Sequence, residues 1–282
     1  MKLVMKTPSF AVYDDVLNAP AFDRVWQYVQ RESYTCVHHQ MWLKAWRLSD
    51  GSPLAGPVIY SNETTARIAN KCESQHPLPP ELVRNFVFPT GRHVDCLVET
   101  IIGHGGDWTD LVGRGDIDWV GFTMRAFLYP QGAGLSWHLD LGRYSGAYIY
   151  YAHPTWNVKW GGELMVADFA ACPSGNNTFN PHDPKTSSIY QPDEAKRAGQ
   201  HLDNAWENEK LMEMGTGRYI FPKPNRLVIV APGCAHCINP LTTAAGDKVR
   251  ATITGFFITP AENRAARAAG CTVPALGGKV LT

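Results

Sequence analysis

The sequence predicts a mainly β domain with flanking helices, an α+β arrangement, and three observations carry that expectation. From Asp118 onward the chain falls into aromatic and β-branched runs broken by Gly, Pro and Asn, over 118–130, 134–140, 146–152, 162–168, 226–231 and 249–259. Short strands separated by turn signals at this density suggest a sandwich or barrel. Helical periodicity is concentrated before residue 118. The length, 282 residues, exceeds the usual single-domain size, but decorated β-barrels reach it around one core. One domain over 1–282 is therefore expected, with 1–117 as helical and mixed support, 118–260 as the β core, and 261–282 as a C-terminal helix and tail.

In chain order, Phe22, Val25, Trp26 and Val29 follow the i, i+3, i+4, i+7 spacing of one helix face, which predicts a helix over 18–31. Pro79-Pro80-Glu81 opens a second helix with proline in its first turn. Leu97, Val98, Ile101 and Ile102 mark a third that ends near Gly105-Gly106. Between the first two, 32–78 is mixed, with Val58-Ile59-Tyr60 as a candidate edge strand. The segment 169–218 interrupts the β pattern with Pro, Asn, Asp and Ser, then turns polar and helical from Asp193 towards Met214. An insertion this long in a β domain is usually functional or disordered. It reads as a lid over the substrate, with Trp206, Leu211, Met212 and Met214 as its apolar groups. Beyond the β core, Thr259-Pro260-Ala261-Glu262 reads as a capping box, and Gly270 ends the helix that it opens.

Lys plus Arg and Asp plus Glu are 26 each, and no run of five or six like charges occurs, so the electrostatic footprint of a nucleic-acid binder is missing. No apolar run approaches the roughly 18 residues that span a bilayer, and MKLVMKTPSF has lysines without an apolar h-region. These features predict a cytoplasmic protein with a small-molecule substrate and neither nucleic-acid nor membrane partners; a homodimer is left open. Seven cysteines at irregular spacing fit reduced thiols.

His-x-Asp plus a distant His is the commonest sequence form of the two-histidine, one-carboxylate iron site, which leaves coordination positions open for co-substrate and oxygen. The chain holds three copies: His93-Val94-Asp95, His138-Leu139-Asp140 and His201-Leu202-Asp203. Residues i and i+2 share a face on a strand but lie about 200° apart around a helix, so only a strand copy can chelate. The first copy borders a helical pattern and the third lies within one. The second follows a strand and the turn Gly132-Ala133-Gly134, which makes His138 and Asp140 the candidate ligands. His236, after the apolar run 226–231 and the Pro232-Gly233 turn, is the candidate third. Arg250 opens an otherwise apolar or hydroxylated strand face and needs an anion partner, because an unpaired buried charge is costly. Thr252 and Thr254 share that face. A structural zinc site at Cys234-Ala235-His236-Cys237 would need a second ligand pair, and no second C-x-x-C exists. Both cysteines read as packing residues.

With these residues in place, the stretch from about 118 to 260 resembles the prolyl-4-hydroxylase-like iron(II)/2-oxoglutarate dioxygenases. The carrying motifs are Tyr129-x-x-Gly132 before His138-x-Asp140, then Ile149-Tyr150-Tyr151 with Trp156 and Trp160-Gly161-Gly162-Glu163-Leu164. Pro224-Asn225-Arg226-Leu227 to His236, and Arg250 to Phe257, complete them. The resemblance implies a double-stranded β-helix, the cupin-like jelly roll. It also implies Fe(II) held by His138, Asp140 and His236, and 2-oxoglutarate and O2 as co-substrates, with ascorbate helpful in vitro. Arg250 and Tyr151 would receive the distal carboxylate of 2-oxoglutarate, with Tyr129 and Thr252 lining its pocket. The implied reaction hydroxylates an unactivated C–H bond while 2-oxoglutarate is decarboxylated to succinate and CO2. Asp140 favours hydroxylation over halogenation, since related halogenases have a small residue at the matching position. The long 236–250 loop and the 169–218 insertion depart from the oxygen-sensing prolyl hydroxylases. The first expectation is therefore a small substrate such as a free amino acid or natural-product intermediate. A peptide or protein prolyl-type hydroxylase, and a non-catalytic jelly-roll metal-binding protein, are the alternatives.

Overall fold

The computed structural model describes residues 1–37, 48–73, 85–138, 140, 144–167, 212 and 216–260. The elements before the jelly-roll core are β1 (Lys2–Lys6), β2 (Phe10–Asp14), α1 (Ala19–Arg31), β3 (Thr35–Cys36), β4 (Leu54–Tyr60), α2 (Glu63–Glu73), β5 (Asn85–Val87), α3 (Asp95–His104) and α4 (Thr109–Val112). Then come β6 (Thr123–Tyr129), β7 (Leu135–His138), β8 (Tyr144–Tyr151), β9 (Leu164–Ala167), β10 (Gly217–Ile220), β11 (Leu227–Val230), β12 (His236–Ile238) and β13 (Arg250–Ile258). No helix among them is long and apolar enough to cross a membrane.

Strand order identifies the architecture. One sheet runs β1-β2-β11-β8-β13-β6-β4-β3, with β5 beside β4, and the other runs β10-β9-β12-β7. The chain therefore goes out through β6, β7, β8 and β9 and comes back in reverse, with β10 on β9, β11 on β8, β12 on β7 and β13 on β6, all antiparallel. Because strands of this doubled-back ribbon alternate between the two sheets, it wraps into a double-stranded β-helix. This is the jelly roll that the resemblance implied.

The expected strands at 134–140, 146–152, 162–168, 226–231 and 249–259 all form, and 118–130 is a strand from Thr123. One expectation is corrected: Val58–Tyr60 belongs to β4, which is not an edge strand, because it lies between β6 and β3. The N-terminal segment contributes β1 to β5 beside its helices and widens the larger sheet. Gly217 and Arg218, at the end of the expected insertion, are strand residues of β10. The helix at Pro79, most of 169–218 with Trp206, Leu211 and Met214, the His201-Leu202-Asp203 copy and the C-terminal helix lie outside the described residues; Met212 is exposed.

The larger sheet has two unlike faces. Its outer face is covered by α1, capped by the Asn18 side chain accepting from the Ala21 N–H at 3.0 Å, and by α3. Val25, Val29, Leu97, Val98 and Ile101 meet Ile229, Ala251, Ile253 and Phe257 there. Ile102, expected on the buried face of α3, is exposed instead. Trp108 is wholly buried against Tyr13 and Phe257. Burying one such side chain stabilises by about 1.5–3 kcal/mol, so this layer supplies much of the fold's cohesion. The inner face meets the smaller sheet through two apolar groups. Ile149, Tyr151, Leu164, Val166 and Val228 form one, and Phe127, Tyr129, Ile238 and Leu241 the other.

Candidate metal centre

The smaller sheet brings two histidines together. β12 pairs with β7 so that His236 sits directly across from His138, with ring centroids 4.2 Å apart. Asp140 lies two residues beyond His138, its Oδ2 3.4 Å from His236 Nε2. The three side chains offer ligand atoms within 4.8 Å of one another, and all three are buried. Sequence spacing expected His236 at the edge of the strand 226–231; instead it opens a new strand in the opposite sheet, which is what places it across from His138.

Both rings are oriented by the backbone. His138 Nδ1 lies 2.9 Å from the Ser136 carbonyl, and His236 Nδ1 lies 2.8 Å from the Cys234 carbonyl. A carbonyl only accepts, so each Nδ1 carries the proton and Nε2 holds the lone pair. A histidine that ligates through Nε2 needs that tautomer, and a backbone carbonyl is one of its usual fixing groups. Burial pushes the Asp140 carboxyl above the usual carboxylate range, and the neighbouring His236 opposes that shift. A divalent cation among these donors would favour the ionised form.

The other His-x-Asp copy within the described residues has a different use. Asp95 accepts from the Thr90 N–H at 2.9 Å, the Gly91 N–H at 2.8 Å and the Thr90 hydroxyl at 2.6 Å, closing the turn before α3, while His93 is exposed. Its carboxylate is consumed by the turn. The zinc alternative gains nothing: burial pushes the Cys237 thiol up to about 12 and raises that of Cys234, which donates to the Ser9 carbonyl. Zinc binds thiolates.

Arg250 begins β13 and is completely buried between the sheets. Its guanidinium carbon lies 5.0 Å from the ring centres of both Tyr129 and Tyr151, and Nη2 is 3.5 Å from the Tyr151 hydroxyl. Among the described residues, Nε and Nη1 have no hydrogen-bond partner, and neither does the buried Thr252 hydroxyl two residues on. Burial raises the pKa of both tyrosines, partly offset by Arg250, so they are neutral donors at ordinary pH. A desolvated fork of N–H donors with two hydroxyls beside it fits a carboxylate. The Gly161-Gly162 turn makes room for it. Both residues have φ of +76°, and a Cβ on Gly162 would stand 2.8 Å from Arg250 Cδ.

All seven candidate residues are thus buried, and they form two groups, His138, Asp140 and His236 on one side and Arg250, Tyr151, Tyr129 and Thr252 on the other. Sequence reasoning missed two buried polar residues nearby. His153 is held between the Ala251 and Pro222 carbonyls and lies 4.4 Å, ring to ring, from Trp156; burial lowers its pKa to about 4. Asp50 binds Ser136. Nothing local marks His153, and Asp50-Gly51 reads only as a turn signal.

No family model and no curated protein matches this sequence. Among solved structures, the chain is similar to a prolyl-4-hydroxylase from Pseudomonas putida, at 13% identity over 89% of this chain and 93% of that one, TM-score 0.45. It is also similar to a prolyl hydroxylase from Trichoplax adhaerens, solved with a hypoxia inducible factor oxygen degradation domain peptide fragment, at 17% identity over 92% and 87%, TM-score 0.47. An oxidoreductase of the 2OG-Fe(II) oxygenase family from Burkholderia pseudomallei overlaps at 10% identity over 89% and 85%, TM-score 0.45. The double-stranded β-helix of this chain rests on its own strand order.

Proposed function

We propose that this chain is an iron(II)- and 2-oxoglutarate-dependent oxygenase that hydroxylates an unactivated C–H bond of a small molecule, such as a free amino acid or natural-product intermediate. The observation that carries the reading is the pairing, inside one β-helix, of a buried His-Asp-His cluster with a buried arginine that has no carboxylate partner among the described residues. Either feature alone has other uses. Together they match a reaction that needs a redox metal and a dicarboxylate at once.

His138 and His236 through Nε2, and Asp140 through its carboxylate, would hold Fe(II) and leave positions for co-substrate and O2. When bound, iron and 2-oxoglutarate would supply the oxidising power, with 2-oxoglutarate converted to succinate and CO2. Arg250 would bind the distal carboxylate in a water-poor interior, where a charge-assisted contact gains strength. The Tyr151 hydroxyl, 3.5 Å from Arg250 Nη2, and the buried Thr252 hydroxyl would donate to the same group, and the Tyr129 ring, 5.0 Å from the guanidinium, would line the pocket. Zero net charge and the high aromatic content favour a compact substrate over a charged polymer. The 169–218 insertion, short of the β10 residues Gly217 and Arg218, would serve as the lid that sets substrate identity.

The test is succinate formation from 2-oxoglutarate with Fe(II), O2 and ascorbate, screened across free amino acids and peptides for coupled product. Coupled turnover with an amino acid supports the small-molecule reading, whereas coupling only with peptides transfers the assignment to a peptide hydroxylase. Absence of succinate under every condition, despite metal binding, would reduce the chain to a metal-binding jelly roll.

A further inference from the structure

We propose that Asp50, in the segment before β4, is a positioning residue of the metal centre: it clamps β7 through Ser136 and so fixes His138 as a ligand. The inference rests on the reading of His138, Asp140 and His236 as a metal site. β7 is an edge strand, paired only with β12 among the described strands, and that pairing is irregular between His236 and Ile238. An edge strand with a single short partner is poorly held. The side of β7 away from β12 is where Asp50 works. Its carboxylate, 3% exposed, accepts from the Ser136 N–H at 2.8 Å and from the Ser136 hydroxyl at 2.5 Å through one oxygen. Its own carbonyl accepts from the Gly134 N–H at 3.0 Å.

The neighbouring residue tightens the contact. Gly51 has φ of +73°, and a Cβ there would stand 2.9 Å from the Gly132 carbonyl oxygen and 3.0 Å from Ala133 Cα. Residues 50 and 51 therefore sit on the backbone of the turn that delivers β7. Ser136 is the hinge of the argument. On one side of its Cα the N–H is held by Asp50; on the other its carbonyl accepts the Nδ1–H of His138. These groups belong to different peptide units, so Asp50 acts on His138 by placing Ser136 and not by polarising the carbonyl. Ligands must be held within about 0.5 Å of the productive geometry by such supporting groups. The loss expected when one is removed is roughly 10- to 100-fold in metal affinity.

The experiment measures Mn(II) affinity and the visible spectrum of the Co(II) complex for wild type, Asp50→Ala, Asp50→Asn and Asp50→Glu, with Val98→Ala as a core control. Asp50→Ala should weaken Mn(II) by roughly 10- to 100-fold and alter the Co(II) spectrum. Asn keeps an acceptor oxygen at the same reach and should bind within about threefold of wild type. Glu keeps the charge but displaces it by one methylene, and should shift the spectrum. Val98→Ala should lower the melting temperature without touching either readout. Wild type that binds no metal would sink the metal-site reading itself. Wild type that binds while Asp50→Ala matches its affinity and spectrum would overturn the Asp50 proposal, as would Asn losing as much as Ala. Should the Ala variant fail to fold, an unchanged spectrum in Asp50→Glu overturns it equally.

Discussion

The two faces of β13 are built on opposite rules. Ala251, Ile253 and Phe257 point outward into the helix-covered layer and are packed by Val98, Ile101 and Trp108. Arg250 and Thr252 alternate with them and point inward, where the Arg250 Nε and Nη1 and the Thr252 hydroxyl are buried with no hydrogen-bond partner among the described residues. The outer layer also strands polar atoms, the Tyr28 hydroxyl and the Trp108 indole N–H, but these are single neutral donors. Burying a neutral donor costs about 1–3 kcal/mol, whereas an uncompensated ion costs several. The start of one strand thus alternates between cohesion at Ala251 and Ile253 and a site at Arg250 and Thr252 that is unfavourable until filled.

Substitutions on the two faces should separate stability from function. The largest effect falls on the metal ligands: His138→Ala, Asp140→Ala and His236→Ala should each reduce succinate formation to background, with metal titration showing strong loss for both histidine variants. His93→Ala, on the copy whose aspartate closes a turn, should change neither readout. Next comes the outward face, where Ile253→Ala should lower unfolding free energy by about 2–5 kcal/mol in a denaturant titration and leave the 2-oxoglutarate requirement as it was. A changed requirement would mean that the two faces are coupled.

Arg250→Ala, three positions away, should do the reverse. It should raise the 2-oxoglutarate concentration for half-maximal rate by roughly 10- to 100-fold, the equivalent of about 1.5–3 kcal/mol, while iron affinity stays close to wild type. Lys should restore part of this, lacking the planar fork. Arg250→Met sharpens the contrast, since removing an unpaired buried charge should leave the melting temperature of the metal-free protein unchanged or higher. A large drop would show that Arg250 serves the fold. The smallest effect is expected at Gly162→Ala, where positive φ and the close approach to Arg250 Cδ should raise the 2-oxoglutarate requirement several-fold, about 1 kcal/mol, with turnover at saturation retained.

The inward residues were legible in the sequence because chemistry limits the choices. His138-x-Asp140 on a strand, a histidine after a turn and an arginine opening an apolar strand are unusual enough to be read singly. β1, β2 and β5 were not legible: a short strand such as Lys2–Lys6, exposed along its whole length, lacks the half-buried alternation that marks strands. β12 was hidden because three residues after a Pro-Gly turn carry no period at all. Asp50 was invisible for a different reason. Its role depends on contact with Ser136, 86 residues away in the chain, which local pattern cannot encode.

The direct opposition of His138 and His236 across β7 and β12 also has a consequence for the lifetime of the protein. A metal ion shared by residues on two adjacent strands is a cross-link, and the unfolded chain does not present those ligands together. Linkage then adds RT ln(1 + [M]/Kd) to the folded state, about 2.7 kcal/mol when the free metal exceeds its dissociation constant a hundredfold. One strand it ties down, β7, is an edge of the smaller sheet, and edges are where local opening is least costly. If the proposed function holds, metal supply would govern how well this protein resists proteolysis as well as how fast it turns over.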